Sequence, residues 1–196
     1  AVVLDFSKHM RAVLELDPER RLARVQPGIV LDDLRDRAER HHLTFGPDPA
    51  THNRCTIGGM LGNNSCGVHA QMAGKTQHNT ESLEVLTYDG ARMRVGATSD
   101  DELAAIVRAG GRQGEIYGRL AALRDRHGDE VRRRFPKIPR RVSGYNLEEL
   151  LPERGGGYRY GNSDPITGQA AWYDLRVRIE KVAAGDGVSE PTFPTL

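Results

Sequence analysis

Residues 55–67, which read CTIGGMLGNNSCG, combine four glycines with two asparagines, one serine and two cysteines. Glycine has no Cβ and tolerates positive φ angles, so backbone N–H groups in such a stretch can reach an anionic or planar ligand. Asn63, Asn64 and Ser65 add short hydrogen-bonding side chains. A tight corner, with the glycines serving packing, accounts equally well for the composition. The spacing matches neither the G-x-x-x-x-G-K-[ST] phosphate-binding pattern nor the G-x-G-x-x-G dinucleotide-binding pattern.

Few side chains outside this stretch suggest chemistry of their own. His69 follows the glycines and could reach a ligand bound there, although a surface histidine is an equal alternative. Cys66 is interpreted as a small packing residue, not a reactive thiol. The histidines and cysteines lack the spacings H-x-x-x-H, H-E-x-x-H and C-x-x-C, so we expect no metal site. The arginine-rich run 119–141 is interpreted, over its helical part, as a solvated helix face, and no nucleic-acid partner is expected.

The elements that would position these residues are paired strands and helices, which favours an α+β fold over a regular βαβ array. Residues 45–54 break regular structure with two prolines, and residues 55–81 are expected to continue as loop. A capping pattern at Ser99 and Glu102 predicts a helix start. The expected strands are 1–6, 12–17 with a return strand up to Pro27-Gly28, 82–96 as a hairpin turning at Asp89-Gly90, and one strand between 158 and 182; the expected helices are 29–42, 99–111 and 116–135, with a short helical turn near 147–151.

Composition excludes several classes of function. The chain has 196 residues and a net charge of +1, so its overall charge does not favour binding to nucleic acid or to a membrane surface. Two cysteines do not make a disulfide framework, and a reducing, cytoplasmic location is expected. No apolar run approaches the length of a membrane span. The first residues, AVVLDFS, read like the inside of a larger fold.

A wider set of motifs resembles one family of flavoproteins, the FAD-binding proteins of the vanillyl-alcohol oxidase and p-cresol methylhydroxylase type. The resemblance is greatest to the group of the glycolate oxidase FAD subunit, D-lactate dehydrogenase and D-2-hydroxyglutarate dehydrogenase. It covers roughly residues 2–150. The motifs are the turn Pro47-Asp48-Pro49, the run Thr56-Ile57-Gly58-Gly59, the small-residue stretch 63–67, the step Gly74-Lys75-Thr76, and the strand 83–88 that ends in Asp89-Gly90.

The resemblance implies FAD as the cofactor and a fold of two α+β subdomains that hold it. Residues 1–150 would form mainly the second subdomain, a mixed or antiparallel sheet flanked by helices. The family's first pyrophosphate loop would precede residue 1, so this domain would be incomplete at its N-terminus, and residues 151–196 stay unassigned. The implied FAD-binding residues are Pro47, Thr56, Ile57, Gly58, Gly59, Gly62, Asn63, Asn64, Ser65, Gly67, His69, Gly74, Thr76 and Asn79.

The implied activity is oxidation of a 2-hydroxy acid, such as glycolate, D-lactate or D-2-hydroxyglutarate, by hydride transfer to flavin N5. A separate electron acceptor would then reoxidise the flavin. Arg140 and Arg141, with Ser143 and Tyr145, stand where the similar dehydrogenases anchor a substrate carboxylate, which a guanidinium binds through two parallel hydrogen bonds. The catalytic residues are not assigned, because the family's substrate domain lies outside this sequence. The alternative is a non-catalytic flavin-fold domain or subunit that a partner chain completes.

Overall fold

The computed structural model describes residues 4–138, 145–154 and 170–181. A five-stranded sheet has the order β1–β2–β6–β4–β5, and β3 and β7 form a second sheet of two strands. All of these strand pairs are antiparallel. The strands are β1 (Val13–Asp17), β2 (Leu22–Val25), β3 (Leu43–Thr44), β4 (Thr80–Thr87), β5 (Arg92–Gly96), β6 (Ala170–Arg178) and β7 (Glu180–Lys181).

Helices lie between the strands, so the arrangement is α+β as expected. The two longest, α4 and α5, follow each other directly after β5. The α-helices are α1 (Leu31–Glu39), α2 (Ile57–Asn63), α3 (Ala70–Ala73), α4 (Asp100–Ala109) and α5 (Gly111–Arg134); 3-10 helices occupy Thr76–Asn79, Leu147–Leu150 and Pro152–Arg154.

Local sequence signals placed most of these elements correctly. The hairpin β1–β2 and the hairpin β4–β5 are both confirmed, and Gly90 adopts the positive φ of 87° that the second turn requires. The capping box of α4 is also confirmed: Ser99 Oγ accepts from the N–H of Glu102, and the Glu102 carboxylate accepts from the N–H of Ser99. The short helical turn is confirmed as the 3-10 helix Leu147–Leu150.

Two expectations are wrong. Residues 4–6 form no strand, because this segment bends across the link between β2 and α1. There Phe6 O accepts from the N–H of Met10, and Met10 O accepts from the N–H of Gly28. Residues 1–3 lie outside the described ranges. The stretch 55–81 is not a continuous loop, since α2, α3 and a 3-10 helix occupy much of it and β4 begins at Thr80. Buried apolar side chains at Ile57, Met60 and Leu61 explain α2, because they share one helix face.

The strand β6 confirms the strand expected between 158 and 182, in the part of the chain that the sequence assigned to no domain. It pairs with β2 on one side and β4 on the other, so it lies in the middle of the five-stranded sheet. Without it, the two hairpins would not be joined in one sheet. Residues beyond 181, for which the sequence suggests a loose tail, lie outside the described residues.

One apolar cluster holds the sheet and the helices together. Its members from the hairpin β4–β5 alternate along each strand, as expected for strands with one buried face. Burial of such side chains stabilises the fold by about 1.5–3 kcal/mol for each fully buried large residue. Among the residues whose burial the structure describes, the largest fully buried side chains are Tyr117, Phe45, Ile29, Leu31, Leu34, Ile57, Met60, Leu61, Ile179 and Val25.

The ion pair of Arg132 and Glu153 ties the C-terminal half of α5 to the segment 145–154. Arg132 Nε and Nη2 donate to the two carboxylate oxygens of Glu153, at 2.7 and 3.1 Å. These hydrogen bonds lower the pKa of Glu153 to about 2, well below its ordinary value of 4.5. The pair is bidentate, which fixes the relative position of the two elements more tightly than a single contact would.

Acid should therefore weaken this connection. Because the pKa of Glu153 is lower in the folded chain, its stabilising contribution is complete above the unfolded pKa near 4.5 and is lost as the pH falls through about 2. We expect wild type to be more stable than Arg132→Gln at pH 7, with the difference shrinking between pH 4.5 and pH 2. Urea unfolding across this range measures it. Arg126→Gln, on the same helix, is the control and should show no such step.

Candidate functional site

The first turn of α2 is fixed against the link between β2 and α1. Thr56 is the N-cap, and its Oγ1 accepts from the N–H of Gly59 at 3.2 Å. The N–H of Ile57 donates to Ile29 O and that of Gly58 to Pro27 O. A Cβ on Gly58 would stand 2.7 Å from the Cβ of Pro27, so glycine here permits close packing.

These contacts correct one step of the sequence-based interpretation. The backbone N–H groups of Ile57, Gly58 and Gly59 do not point to a ligand, because each already has an acceptor within the chain. The glycines of α2 also do not use positive φ angles; Asn64, which follows the helix, does. If α2 contacts a cofactor, it must do so through its surface.

The exposed face of α2 has almost no side-chain bulk. Gly59, Gly62 and Asn63 share this face by their helical spacing, and all three are exposed; we call them the glycine face. A Cβ on Gly62 would meet no atom within 4 Å, and one on Gly59 would meet only Thr56 Oγ1, at 3.1 Å. Each glycine in a helix interior costs about 1 kcal/mol relative to alanine. Packing within the described chain does not explain this cost at Gly62, so the smooth face favours contact with an external group.

The end of α2 is held by a left-handed residue with a buried side chain. Asn64 has φ 52° and ψ 50°, and the N–H of the next residue, Ser65, returns to Met60 O at 2.8 Å. This is a Schellman-type helix end with asparagine in the left-handed position. The Asn64 side chain exchanges two hydrogen bonds with Gln77, its Nδ2 donating to Gln77 Oε1 and its Oδ1 accepting from the N–H of Gln77.

The stretch after α2 is anchored to the turn at residues 47–49. His69 Nδ1 pairs with the Asp48 carboxylate, and the N–H of His69 donates to the same carboxylate at 3.2 Å. A Cβ on Gly67 would stand 2.1 Å from Asp48 O, so only glycine fits between them. Pro47 is buried, and its carbonyl accepts from Arg35 at 3.4 Å. His69 is therefore positioned by a carboxylate and remains half-buried beside the glycine stretch.

The residues 74–79 form a compact turn whose polar groups bond inwards. Gly74 has φ 70°, and a Cβ there would also stand 2.5 Å from His78 Nδ1. Asn79 Nδ2 donates to Ala73 O and Lys75 O. The hydroxyl of Thr76 donates to Ser65 O at 2.8 Å, which joins this turn to the end of α2. These contacts give the side chains of Thr76 and Asn79 a structural role.

The structure thus brings most of the candidate residues together in one region, in three directly bonded groups. The first joins Thr56 to Gly59. In the second, Asn64 bonds to Gln77, and the neighbouring Thr76 bonds to Ser65. In the third, His69 bonds to Asp48, against which Gly67 packs. Sequence reasoning missed the role of Gln77, since its bonding partners lie up to 72 residues away. Among the substrate-binding candidates, Tyr145 is 49% exposed, whereas Arg140, Arg141 and Ser143 lie outside the described residues.

Other sites in the described residues carry less chemistry. One cleft has Lys75, His78, Phe135 and Arg154 in its wall, and another lies between β5 and the helices α4 and α5; no residue of α2 lines either of them. Burial raises the pKa of the Cys55 thiol, which disfavours the reactive thiolate. No group of three potential metal ligands occurs in the described ranges. No helix among them is long and apolar enough to span a membrane.

Comparison with known proteins identifies a family that the first part of the chain resembles. Residues 1–96 match the family model described as FAD binding domain. FAD is the cofactor of the family. The glycine face fits such a ligand, because an extended, partly planar molecule can lie directly against the helix surface where Gly59 and Gly62 carry no Cβ.

Individual relatives extend the similarity beyond residue 96. The chain is 34% identical over 154 residues to D-2-hydroxyglutarate dehydrogenase of Pseudomonas putida, which covers 79% of this chain and 15% of that protein. It is 35% identical over 99 residues to glycolate oxidase subunit GlcD of Escherichia coli, covering 50% and 20%. It is 41% identical over 71 residues to one subunit of the sulfite dehydrogenase of Allochromatium vinosum, covering 36% and 7%. The chain therefore spans at most about a fifth of these three relatives.

Proposed function

We propose that this chain is the FAD-binding part of an oxidoreductase that oxidises a 2-hydroxy acid. The observation that carries the proposal is the glycine face of α2, where Gly59 and Gly62 leave a helix surface smooth and Gly62 has no packing role in the described chain. The family of residues 1–96 supplies the cofactor. In this proposal the sheet and helices are the second subdomain of the p-cresol methylhydroxylase type.

The substrate class follows from two of the relatives. D-2-hydroxyglutarate and glycolate, which their names contain, are both 2-hydroxy acids. The name of the third relative points to sulfite, but that match covers only 36% of this chain. We extend the 2-hydroxy acid to this chain because the D-2-hydroxyglutarate dehydrogenase match covers 79% of it. A separate electron acceptor, on a partner protein or on the remainder of the polypeptide, completes the proposal.

The residues of this chain would bind FAD and the substrate and hold them in position. The glycine face would receive FAD, and Thr56 and Asn64 would hold the two ends of α2 so that this face stays formed. The Asp48 carboxylate would fix the imidazole of His69 beside it. Arg140, Arg141, Ser143 and Tyr145 would bind the substrate carboxylate. When bound, FAD would supply the redox chemistry, accepting a hydride at N5 from the carbon that carries the substrate hydroxyl.

The test is binding of FAD to the purified chain. We expect saturable binding, measured by quenching of flavin fluorescence, and weaker binding of riboflavin, which lacks the adenosine diphosphate part. A chain that binds no flavin alone but gains FAD when the rest of the protein is added would favour the alternative, a domain completed by a partner. Absence of FAD from the complete protein would overturn the proposal.

A further inference from the structure

The carboxamide of Gln77 is the centre of a buried network that links distant parts of the chain. Its Oε1 accepts from Asn64 Nδ2 and, at 2.7 Å, from Asn146 Nδ2. Its Nε2 donates to Glu149 Oε1 at 3.3 Å. The side chains of Asn64, Gln77 and Asn146 are only 0%, 6% and 7% exposed. Water therefore cannot easily replace a lost partner.

The two ends of this network belong to different structural elements. Asn64 is the left-handed residue that ends α2, directly after the glycine face. Asn146 precedes the 3-10 helix Leu147–Leu150, and Glu149 lies within that helix. Gln77 Oε1 accepts one hydrogen bond from Asn64 and one from Asn146, which fills both of its acceptor positions. The orientation of the Gln77 amide therefore depends on both of these residues. Gln77 thus bridges the candidate cofactor surface and the segment that contains Tyr145.

The segment 145–154, which contains the 3-10 helix Leu147–Leu150, also contacts α5. Arg132 binds Glu153 through two hydrogen bonds, Leu150 is buried in the core, and a Cβ on Gly128 would be 3.4 Å from Leu151. The segment 145–154 therefore has one attachment to α5 and a second, polar attachment to the end of α2. Polar attachments of this kind depend on geometry, so a shift at one end weakens the hydrogen bonds at the other.

We propose that Gln77 is a positioning residue that couples the glycine face of α2 to the segment Tyr145–Leu150. The inference rests on the proposed function, because it makes FAD binding at α2 and docking of that segment mutually favourable. Binding that fixes the end of α2 would strengthen the hydrogen bonds of Gln77 to Asn146 and Glu149. By linkage, loss of those bonds would weaken FAD binding by the same factor.

The first experiment measures hydrogen exchange without FAD, comparing wild type with Gln77→Met and with Gln71→Met. Gln71 is exposed on α3 and is the matched control. The reporters are the amides of Ser65, bonded to Met60 O, and Glu149, bonded to Asn146 O. In Gln77→Met we expect both amides to exchange about tenfold faster, since a buried hydrogen-bond network has been removed. Gln71→Met should change neither. If either reporter is unchanged in Gln77→Met, the coupling is refuted.

The second experiment adds FAD. In wild type we expect FAD to slow exchange at both Ser65 and Glu149, and in Gln77→Met only at Ser65. Equal protection of Glu149 in both proteins would overturn the inference even though FAD binds. Absence of FAD binding to wild type would instead count against the proposed function, because the first experiment decides the coupling without the cofactor.

A third variant probes the far end of the network in case Gln77→Met unfolds. Asn146→Ala removes one donor to Gln77 and leaves the Asn64–Gln77 contacts in place. We expect the Kd for FAD to rise about five- to tenfold, as typical coupling between sites predicts, while Gln71→Met stays within about twofold of wild type. A folded Asn146→Ala protein with unchanged Kd and unchanged exchange at Ser65 would contradict the inference.

Discussion

Replacing Gly62 by alanine is expected to stabilise the folded chain and at the same time to weaken its binding of FAD. A methyl group at this position would meet no atom within 4 Å, and the residue is helical, so alanine should raise the free energy of unfolding by about 0.5–1 kcal/mol. The same methyl group would stand on the glycine face, between α2 and the ligand. An overpacked contact costs about 1–3 kcal/mol, which corresponds to a Kd that is higher by about fivefold to 150-fold.

The variant is expected to gain stability and to lose affinity for FAD. Because these two effects have opposite signs, a general loss of folding cannot explain them, and the variant is a strong test of the site. Urea unfolding gives the stability, and titration of flavin fluorescence gives the Kd. Gly118→Ala is the control: Gly118 also lies within a helix, and a Cβ there would touch only methyl groups of Val107 at 3.9 Å. It should gain similar stability with no change in Kd. If Gly62→Ala is stabilised and binds FAD as tightly as wild type, α2 does not contact the cofactor through this face.

Replacing Gly67 by alanine is expected to have the largest effect on stability. A Cβ there would stand 2.1 Å from Asp48 O and from Asp48 Oδ1, a clash with backbone that no rotamer change relieves. Relief requires the turn at residues 47–49 to separate from the start of α3, which would also break the Asp48–His69 pair. We expect the free energy of unfolding to fall by about 1–3 kcal/mol, and by more if the turn cannot move.

A matched variant separates this packing effect from the loss of the hydrogen-bonded pair Asp48–His69. His69→Gln keeps a hydrogen-bonding side chain beside Asp48 and leaves Gly67 in place. We expect it to cost much less stability than Gly67→Ala in the same urea unfolding experiment. Similar losses in the two proteins would mean that the Asp48–His69 contact, and not the close approach of Gly67, holds this region together.

The two predictions divide the glycines of residues 55–67 by physical role, which composition could not do. Gly58 and Gly67 are required by the chain's own packing, against Pro27 and Asp48. Gly62 has no packing reason in the described chain, and Gly59 has only a mild one. The tight-corner interpretation therefore holds for Gly58 and Gly67, and the ligand surface stays a prediction for Gly59 and Gly62.

Several features could be predicted from the sequence because they depend on neighbours along the chain. The capping box of Ser99 and Glu102, the turn at Gly90 and the hairpin β1–β2 all arise from interactions within a few residues. The family resemblance and the FAD cofactor could also be read from motifs, since those motifs are local. The helix α2 was missed because three glycines within seven residues argue against a helix, and burial of Ile57, Met60 and Leu61 overrode that preference.

By itself, the sequence determined the α+β class, the resemblance of its first half to FAD-binding proteins and the stretch that carries the candidate site. Only the tertiary structure decided how that stretch presents itself: the N–H groups expected to bind a ligand are used internally, and a smooth helix face lies outside instead. It also decided that β6 joins the two hairpins and that Gln77 links α2 to Asn146 and Glu149. The physical reason is distance along the chain: these contacts join residues tens of positions apart, and no local pattern records which partner a buried strand or amide will meet.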